Sequence, residues 1–232
     1  MWSFTPEETT AILLSLKVAG AATLASLPAG VALAWLLARR EFWGKTLLNG
    51  LVHLPLVLPP VVTGYLLLLS FGRRGFAGAL LDHCCGIVFS FRWTGAALAA
   101  AVMGLPLMVR AIRLAIEAID ARLERAASTL GASPFRVFLT VTLPLAAPGV
   151  IAGAILAFAK ALGEFGATIT FVASIPGETE TIALSIYSLT QAPGGDAAAL
   201  RLAGVSVVIS LAALAASEIM ARRLSRRVAG FS

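Results

Sequence analysis

Charge is scarce in this chain. Of its 232 residues only 13% are charged, against 59% that are hydrophobic, and the mean hydropathy is +0.91. A soluble domain carries about 25% charged and about 45–50% apolar residues, so a water-solvated single core is excluded and lipid is the expected solvent. Cysteine is almost absent: Cys84 and Cys85 stand side by side. Adjacent cysteines make poor disulfides, and without CxxC spacing they make no metal site. The two histidines, His53 and His83, are far apart in the sequence. No Ser–His–acid constellation accompanies them, so a hydrolase is unsupported. Also missing is the Gly-x4-Gly-Lys-Ser/Thr loop that cradles nucleotide phosphates. The formal charge of +6 comes without an aromatic-lined basic patch, which argues against nucleic acid as a partner.

What is present is a series of long apolar runs. A spanning helix needs about 20 mostly apolar residues, and five stretches qualify: 11–38, 49–71, 93–109, 144–166 and 202–220. No basic residue precedes the first run within Met1–Thr10, so that run is expected to remain as a span rather than serve as a cleaved signal. The piece from Ala79 to Phe91 is too short and interrupted to cross, and is expected in an outer loop. Five spans put the termini on opposite sides, and basic residues collect on the cytoplasmic one. With the C-terminus inside, that side holds Arg39, Arg40, Lys45, Arg110, Arg113, Arg122, Arg125, Arg136, Arg222, Arg223, Arg226 and Arg227. These are twelve of the 18 basic residues. The outer side holds Arg73, Arg74, Arg92 and Arg201. The N-terminus is therefore expected outside, with the segment 110–143 cytoplasmic. An outer loop, Ala173 to Arg201, is expected to carry a short amphipathic helix built on Ile182, Leu184, Ile186, Tyr187 and Leu189.

The cytoplasmic segment has structure of its own. Ile112, Ile116, Ile119, Leu123, Ala126 and Leu130 recur at intervals of three and four, one stripe of an amphipathic helix over Ala111–Leu130. Gly131 suits the left-handed position that closes a helix. Ser133 and Pro134 supply an N-cap and first turn for a second short helix, which presents Phe135, Arg136 and Phe138 before re-entry at Leu143–Pro144. A plain connector seldom needs two capped helices. The segment reads as a docking element for a cytoplasmic partner.

In that element the run Glu124-Arg-Ala-Ala-Ser-Thr-Leu-Gly131-Ala, followed by Val141-Thr-Leu143-Pro144, resembles the signature loop of ABC importer permeases. The family pattern is Glu-Ala-Ala, three residues, Gly, nine residues, Ile, one residue, Leu-Pro. Ala126, Ala127, Gly131, Leu143 and Pro144 match it. Arg125 stands where the family acid would be, with Glu124 one place earlier. The similarity continues through His53-Leu-Pro-Leu-Val-Leu-Pro-Pro-Val-Val-Thr-Gly64, Gly72-Arg-Arg-Gly75, Leu105-Pro-Leu-Met-Val-Arg-Ala-Ile-Arg113, Leu162-Gly-Glu-Phe-Gly-Ala-Thr-Ile-Thr-Phe171 and Ile175-Pro-Gly-Glu-Thr-Glu-Thr181. Together these segments resemble the molybdate permeases; tungstate and sulfate permeases look similar but less close. The resemblance implies an all-α, five-span, type I importer permease in a bacterial inner membrane, paired with itself. It implies that the helix around Ala132–Phe138 docks on a separate ATPase that binds ATP and Mg, that a periplasmic oxyanion-binding protein delivers the substrate, and that this chain needs no cofactor. A secondary transporter would leave the docking loop unexplained. An intramembrane enzyme would need clustered ionisable groups with a nucleophile or metal ligands.

Two features suggest a pathway. Pro55, Pro59 and Pro60 interrupt the second span; each interior proline costs about 3 kcal/mol and frees a carbonyl, and broken helices in lipid face protein or water. Thr63 and Gly64 follow. In the fourth span Lys160 and Glu164 stand four apart, an economical arrangement for intramembrane charge. Lys160 lies about 24 Å beyond Pro144 at 1.5 Å per residue, in the outer half of the membrane. An alternative for the pair is a structural one, snorkelling toward the surface, the role also expected of Lys17.

Overall fold

A computed structural model describes residues 4–229; the side chains of Arg222, Arg223, Arg226 and Arg227, which complete the charge count, lie outside the described residues. The fold is all-α, as expected, with no strand among the described residues. In chain order the helices are α1 Pro6–Arg39, α2 Lys45–Val57, α3 Pro60–Phe71, α4 Phe76–Cys85, α5 Trp93–Glu117, α6 Ala121–Thr129, α7 Pro134–Val137, α8 Leu143–Leu162, α9 Gly166–Val172, α10 Ile182–Gln191 and α11 Asp196–Ala229. Four helical stretches are long and apolar enough to cross a membrane, and the bent pair α2–α3 adds a fifth where the two are taken together as one span.

The bundle centres on α5, which packs against α1 and α8; α11 closes the far flank of α8. Small residues permit this closeness. Ala19, Ala22, Ala96, Ala99 and Ala100 are buried between α1 and α5. A Cβ on Gly153 would stand 2.9 Å from the Met108 carbonyl oxygen, and one on Gly104 3.2 Å from that of Ala157. At its start α1 is fixed by a reciprocal cap. Thr5 Oγ1 accepts from the Glu8 N–H at 3.2 Å, and the Thr5 N–H donates to Glu8 Oε2 at 2.8 Å. Glu8 also pairs with Arg201 at 2.7 Å, tying α1 to α11.

Three expectations of helix extent need correction. The second span is not one kinked helix but two, bent by 115° at Leu58–Pro59. Pro59 holds an extended ψ of 133° because Pro60 follows it, and Pro60 then opens α3. The helix of the third span runs past Val109. Helix α5 continues to Glu117, so Ile112 and Ile116 are buried in the bundle while Leu123 and Leu130 are exposed. The expected single stripe belongs to two helices, divided where Asp120 caps α6 by accepting from the Arg122 N–H at 2.8 Å. The fourth span stops at Leu162 rather than Gly166, and the chain turns into α9. The outer-loop piece from Ala79 is partly helical: α4 closes at Gly86 with φ 65°, and Phe89 then packs edge-on against Phe71 at 6.0 Å.

The amphipathic helix expected between Ala173 and Arg201 is α10. Its Ile182 and Leu184 are buried, and the Ile182 N–H donates to Ser15 Oγ of α1 at 2.7 Å.

Candidate functional site

The loop between α5 and α8 forms one end of the molecule. Gly131 takes φ +86° with nothing near its missing side chain, so it closes α6 in the left-handed conformation expected of it. Ser133 Oγ accepts from the Arg136 N–H at 3.4 Å to start α7. From there the chain does not pause before the membrane. Pro134–Leu162 runs as one helical stretch of 29 residues, with a π-turn at Phe138–Thr142. In that turn the Leu143 N–H reaches back to Phe138 O, and Pro144, which has no N–H, is accommodated directly after it.

Glu124 is the polar anchor of this end. Its carboxylate pairs with Arg39 Nε at 3.0 Å and accepts from Thr142 Oγ1 at 2.6 Å. Arg39 also donates to the Ile119 carbonyl at 3.1 Å. The last turn of α1, the break before α6 and the π-turn are thereby held by one ion pair, with both of its partners less than a fifth exposed. Arg125, in the family acid's place, is exposed. Leu130 is 89% and Phe135 70% exposed, so an apolar knob projects from a polar, well-tied base. Ala126, Ser133 and Pro134 lie exposed near it, Ala127 and Ala132 half-buried, and Phe138 turns inward to meet Trp35 edge-on at 5.8 Å. Sequence reasoning missed Arg39, Thr142 and Leu130 as members of this site. Arg39 and Thr142 join it through contacts 85 and 18 residues away in the chain, for which no local pattern exists. Leu130 reads in the sequence as the last residue of an amphipathic stripe, which gives no sign that it projects.

The second group of expected residues converges in the membrane part. Helix α9 crosses α3 closely: a Cβ on Gly166 would lie 2.7 Å from Pro60 Cβ, and one on Gly64 2.5 Å from the Ala167 carbonyl oxygen. The break at Pro59–Pro60 thus sits beside the break at Gly163–Phe165. Pro59 and Pro60 are exposed, while Thr63 and Gly64 are buried. Glu164 lies in the second break and is 2% exposed. One of its oxygens accepts from the Ala167 N–H at 3.0 Å, satisfying an orphan donor of α9, and the other takes Lys160 Nζ at 2.7 Å. Lys160 itself is 29% exposed. The expected pair forms, but across a helix end rather than within a helix. Lys17 instead lies 3.8 Å from the Trp93 ring centre, a cation–π contact. Among the described residues no group of three or more His, Cys, Asp or Glu side chains could hold a metal.

Residues 26–229 match the family described as "Binding-protein-dependent transport system inner membrane component". The chain is 59% identical over 226 residues to the "Molybdenum transport system permease protein ModB" of Escherichia coli (strain K12), covering 97% of this chain and 98% of that relative. It is 36% identical over 225 residues to the "Sulfate transport system permease protein CysT" of Salmonella typhimurium, covering 97% and 80%. A solved bacterial ABC transporter involved in the import of the acidic polysaccharide alginate superposes with a TM-score of 0.70 at 20% identity, over 95% of this chain and 80% of that one. At that identity the likeness speaks for the fold, which is that of the type I importer permeases.

Proposed function

The chain belongs to the family of binding-protein-dependent transport system inner membrane components, and from that premise we propose that it is the membrane-spanning subunit of an ATP-driven molybdate importer. It is a multi-pass membrane protein of a transport family. The observation that carries the substrate is its 59% identity, over almost its whole length, to a molybdenum transport permease. The 36% relative named for sulfate makes sulfate the second reading, with tungstate beside it.

In this reading the loop end faces the cytoplasm, the N-terminus lies outside, and two copies flank a central pathway. The apolar knob of Leu130 and Phe135, on the loop from Glu124 to Pro144, seats on a separate ATPase subunit that binds ATP and Mg. A periplasmic oxyanion-binding protein docks at the opposite end. ATP binding draws the two docking loops together, and hydrolysis releases them.

The geometry supplies a lever for this. The stretch Pro134–Leu162 is about 43 Å long at 1.5 Å per residue. A displacement of the docking knob travels along it, without a hinge loop, to the break that holds Lys160 and Glu164. That break bears on the Pro59–Pro60 break through α9. Discontinuous helices of this kind suit ion pathways because their ends expose oriented N–H groups. Lys160, with its cation partly open and its position fixed by Glu164, attracts the dianion without trapping it. Pro59, Pro60, Thr63 and Gly64 shape the adjoining wall.

The test is oxyanion uptake by cells lacking this chain and complemented with it. Molybdenum accumulation from submicromolar molybdate, undiminished by excess sulfate, is expected. Sulfate accumulation with no molybdenum would move the substrate to the second reading, and uptake independent of ATP would overturn the importer itself.

A further inference from the structure

An apolar groove of about 650 Å³ runs along α1 beside the root of the docking loop, lined by Leu27, Val31, Trp35, Phe138, Leu143 and Val150 among others. It adjoins a second cavity of about 330 Å³, with which it shares Trp35, Pro134 and Phe138. The second cavity is cationic. Arg39, Arg40 and Arg125 line it together with one acid, Glu124, and that acid is already engaged by Arg39 and Thr142. Arg40 and Arg125 are exposed and make no ion pair among the described residues. The Arg40 guanidinium lies over the Trp35 ring, 5.5 Å from its centre, a cation–π contact that leaves its N–H groups free to donate.

The dimensions are those of an amphiphile. From Leu27 to Arg39 the helix rises about 18 Å, close to half of a hydrocarbon core about 30 Å thick. Of that rise the apolar groove takes Leu27 to Trp35, about 12 Å and most of the depth of one leaflet, and the arginines stand at its surface, beside the aromatic ring typical of that level. Basic pockets between spanning helices are suited to anionic headgroups.

We infer that this paired cavity is a binding site for one anionic phospholipid, its acyl chain in the groove along α1 and its phosphate between Arg40 and Arg125. The lipid occupies the cytoplasmic leaflet, and only that assignment rests on the orientation proposed above. Because the groove is walled by Pro134 and Phe138, the bound lipid buttresses the root of the docking helix against α1.

The experiment uses the intact transporter, purified through a tag on this chain after equilibration in nanodiscs of phosphatidylcholine with a minor fraction of phosphatidylglycerol. Lipids retained in mild detergent are then weighed by native mass spectrometry. Wild type is expected to retain phosphatidylglycerol in preference to phosphatidylcholine. Removing each arginine, as Arg40→Gln or Arg125→Gln, is expected to lower that retention about fivefold. Val31→Trp, which fills the groove, lowers retention of both lipids. Arg122→Gln, at an exposed position on α6 lining neither cavity, leaves it unchanged. Equal retention of the two lipids by wild type would overturn the inference. So would retention unaffected by the arginine substitutions, or a wild-type complex with no retained lipid, its groove closed by a second copy or by the ATPase. Lipid mass does not depend on the transported anion, so failure here leaves the substrate assignment standing.

Discussion

The loop end and the membrane breaks each turn on one carboxylate, but they use it differently. Glu124 reaches outward from a short helix to Arg39 and Thr142, and so joins three separate pieces of chain. Glu164 works within its own neighbourhood: Lys160 is four residues before it and the Ala167 N–H three after. The first carboxylate makes a tertiary tie that orients a projecting surface. The second makes a local cap that satisfies a backbone donor at the start of α9. Of these two ion pairs, the long-range one is a clamp and the short-range one a terminus.

The comparison breaks most sharply at Glu164. Glu164→Leu removes the partner of both Lys160 and the Ala167 N–H in a nearly closed site. Loss of one member of a buried pair costs about 3–5 kcal/mol, so we expect little folded protein in the membrane, read by fluorescence-detected size exclusion. Restoring neutrality with Lys160→Met in the same chain should recover folding but not uptake, which separates the structural role of the pair from the role proposed for it toward the anion. Glu124→Gln is expected to cost less, on the order of 2 kcal/mol, because its site is partly hydrated. Its effect should fall on coupling: ATP hydrolysis continues while uptake drops. An equal loss of folding in both variants would erase the distinction between clamp and terminus.

Phe135→Ala is milder. The side chain is mostly exposed, so thermal stability should stay within about 0.5 kcal/mol of wild type, while co-purification of the ATPase falls. The smallest effect is expected at Glu180, in the loop before α10. Burial, helped by the negative charge of Glu7, raises its carboxyl above the ordinary value. Its ionised form is then disfavoured in the folded state, so stability falls as pH rises from the ordinary glutamate range through the raised value. Glu180→Gln should therefore raise the melting temperature slightly at pH 7.5, with the difference shrinking toward pH 4.5.

The sequence exposed the local half of this comparison and concealed the other. Lys160 and Glu164 were found because a pair four apart in an apolar run is visible in one dimension. The caps at Ser133 and Gly131 were visible for the same reason. The Arg39–Glu124 clamp was not, since its members are 85 residues apart. Helix ends were misjudged where one apolar stripe ran through Asp120, whose capping role competes with the stripe's period. Pro59 and Pro60 signalled a break, but its 115° angle depends on how closely Gly64 and Gly166 let α3 approach α9, and that contact is tertiary.

The central claim is that the docking loop drives a pathway formed at the two helix breaks, and Gly131→Pro tests it most directly. Proline cannot adopt φ +86° and would remove the Gly131 N–H that donates to Ser128 O at 3.0 Å. Molybdenum content of cells lacking the wild-type chain should be restored by wild type and not by the variant, at matched amounts of protein in the membrane. Full restoration by the proline variant would contradict the account.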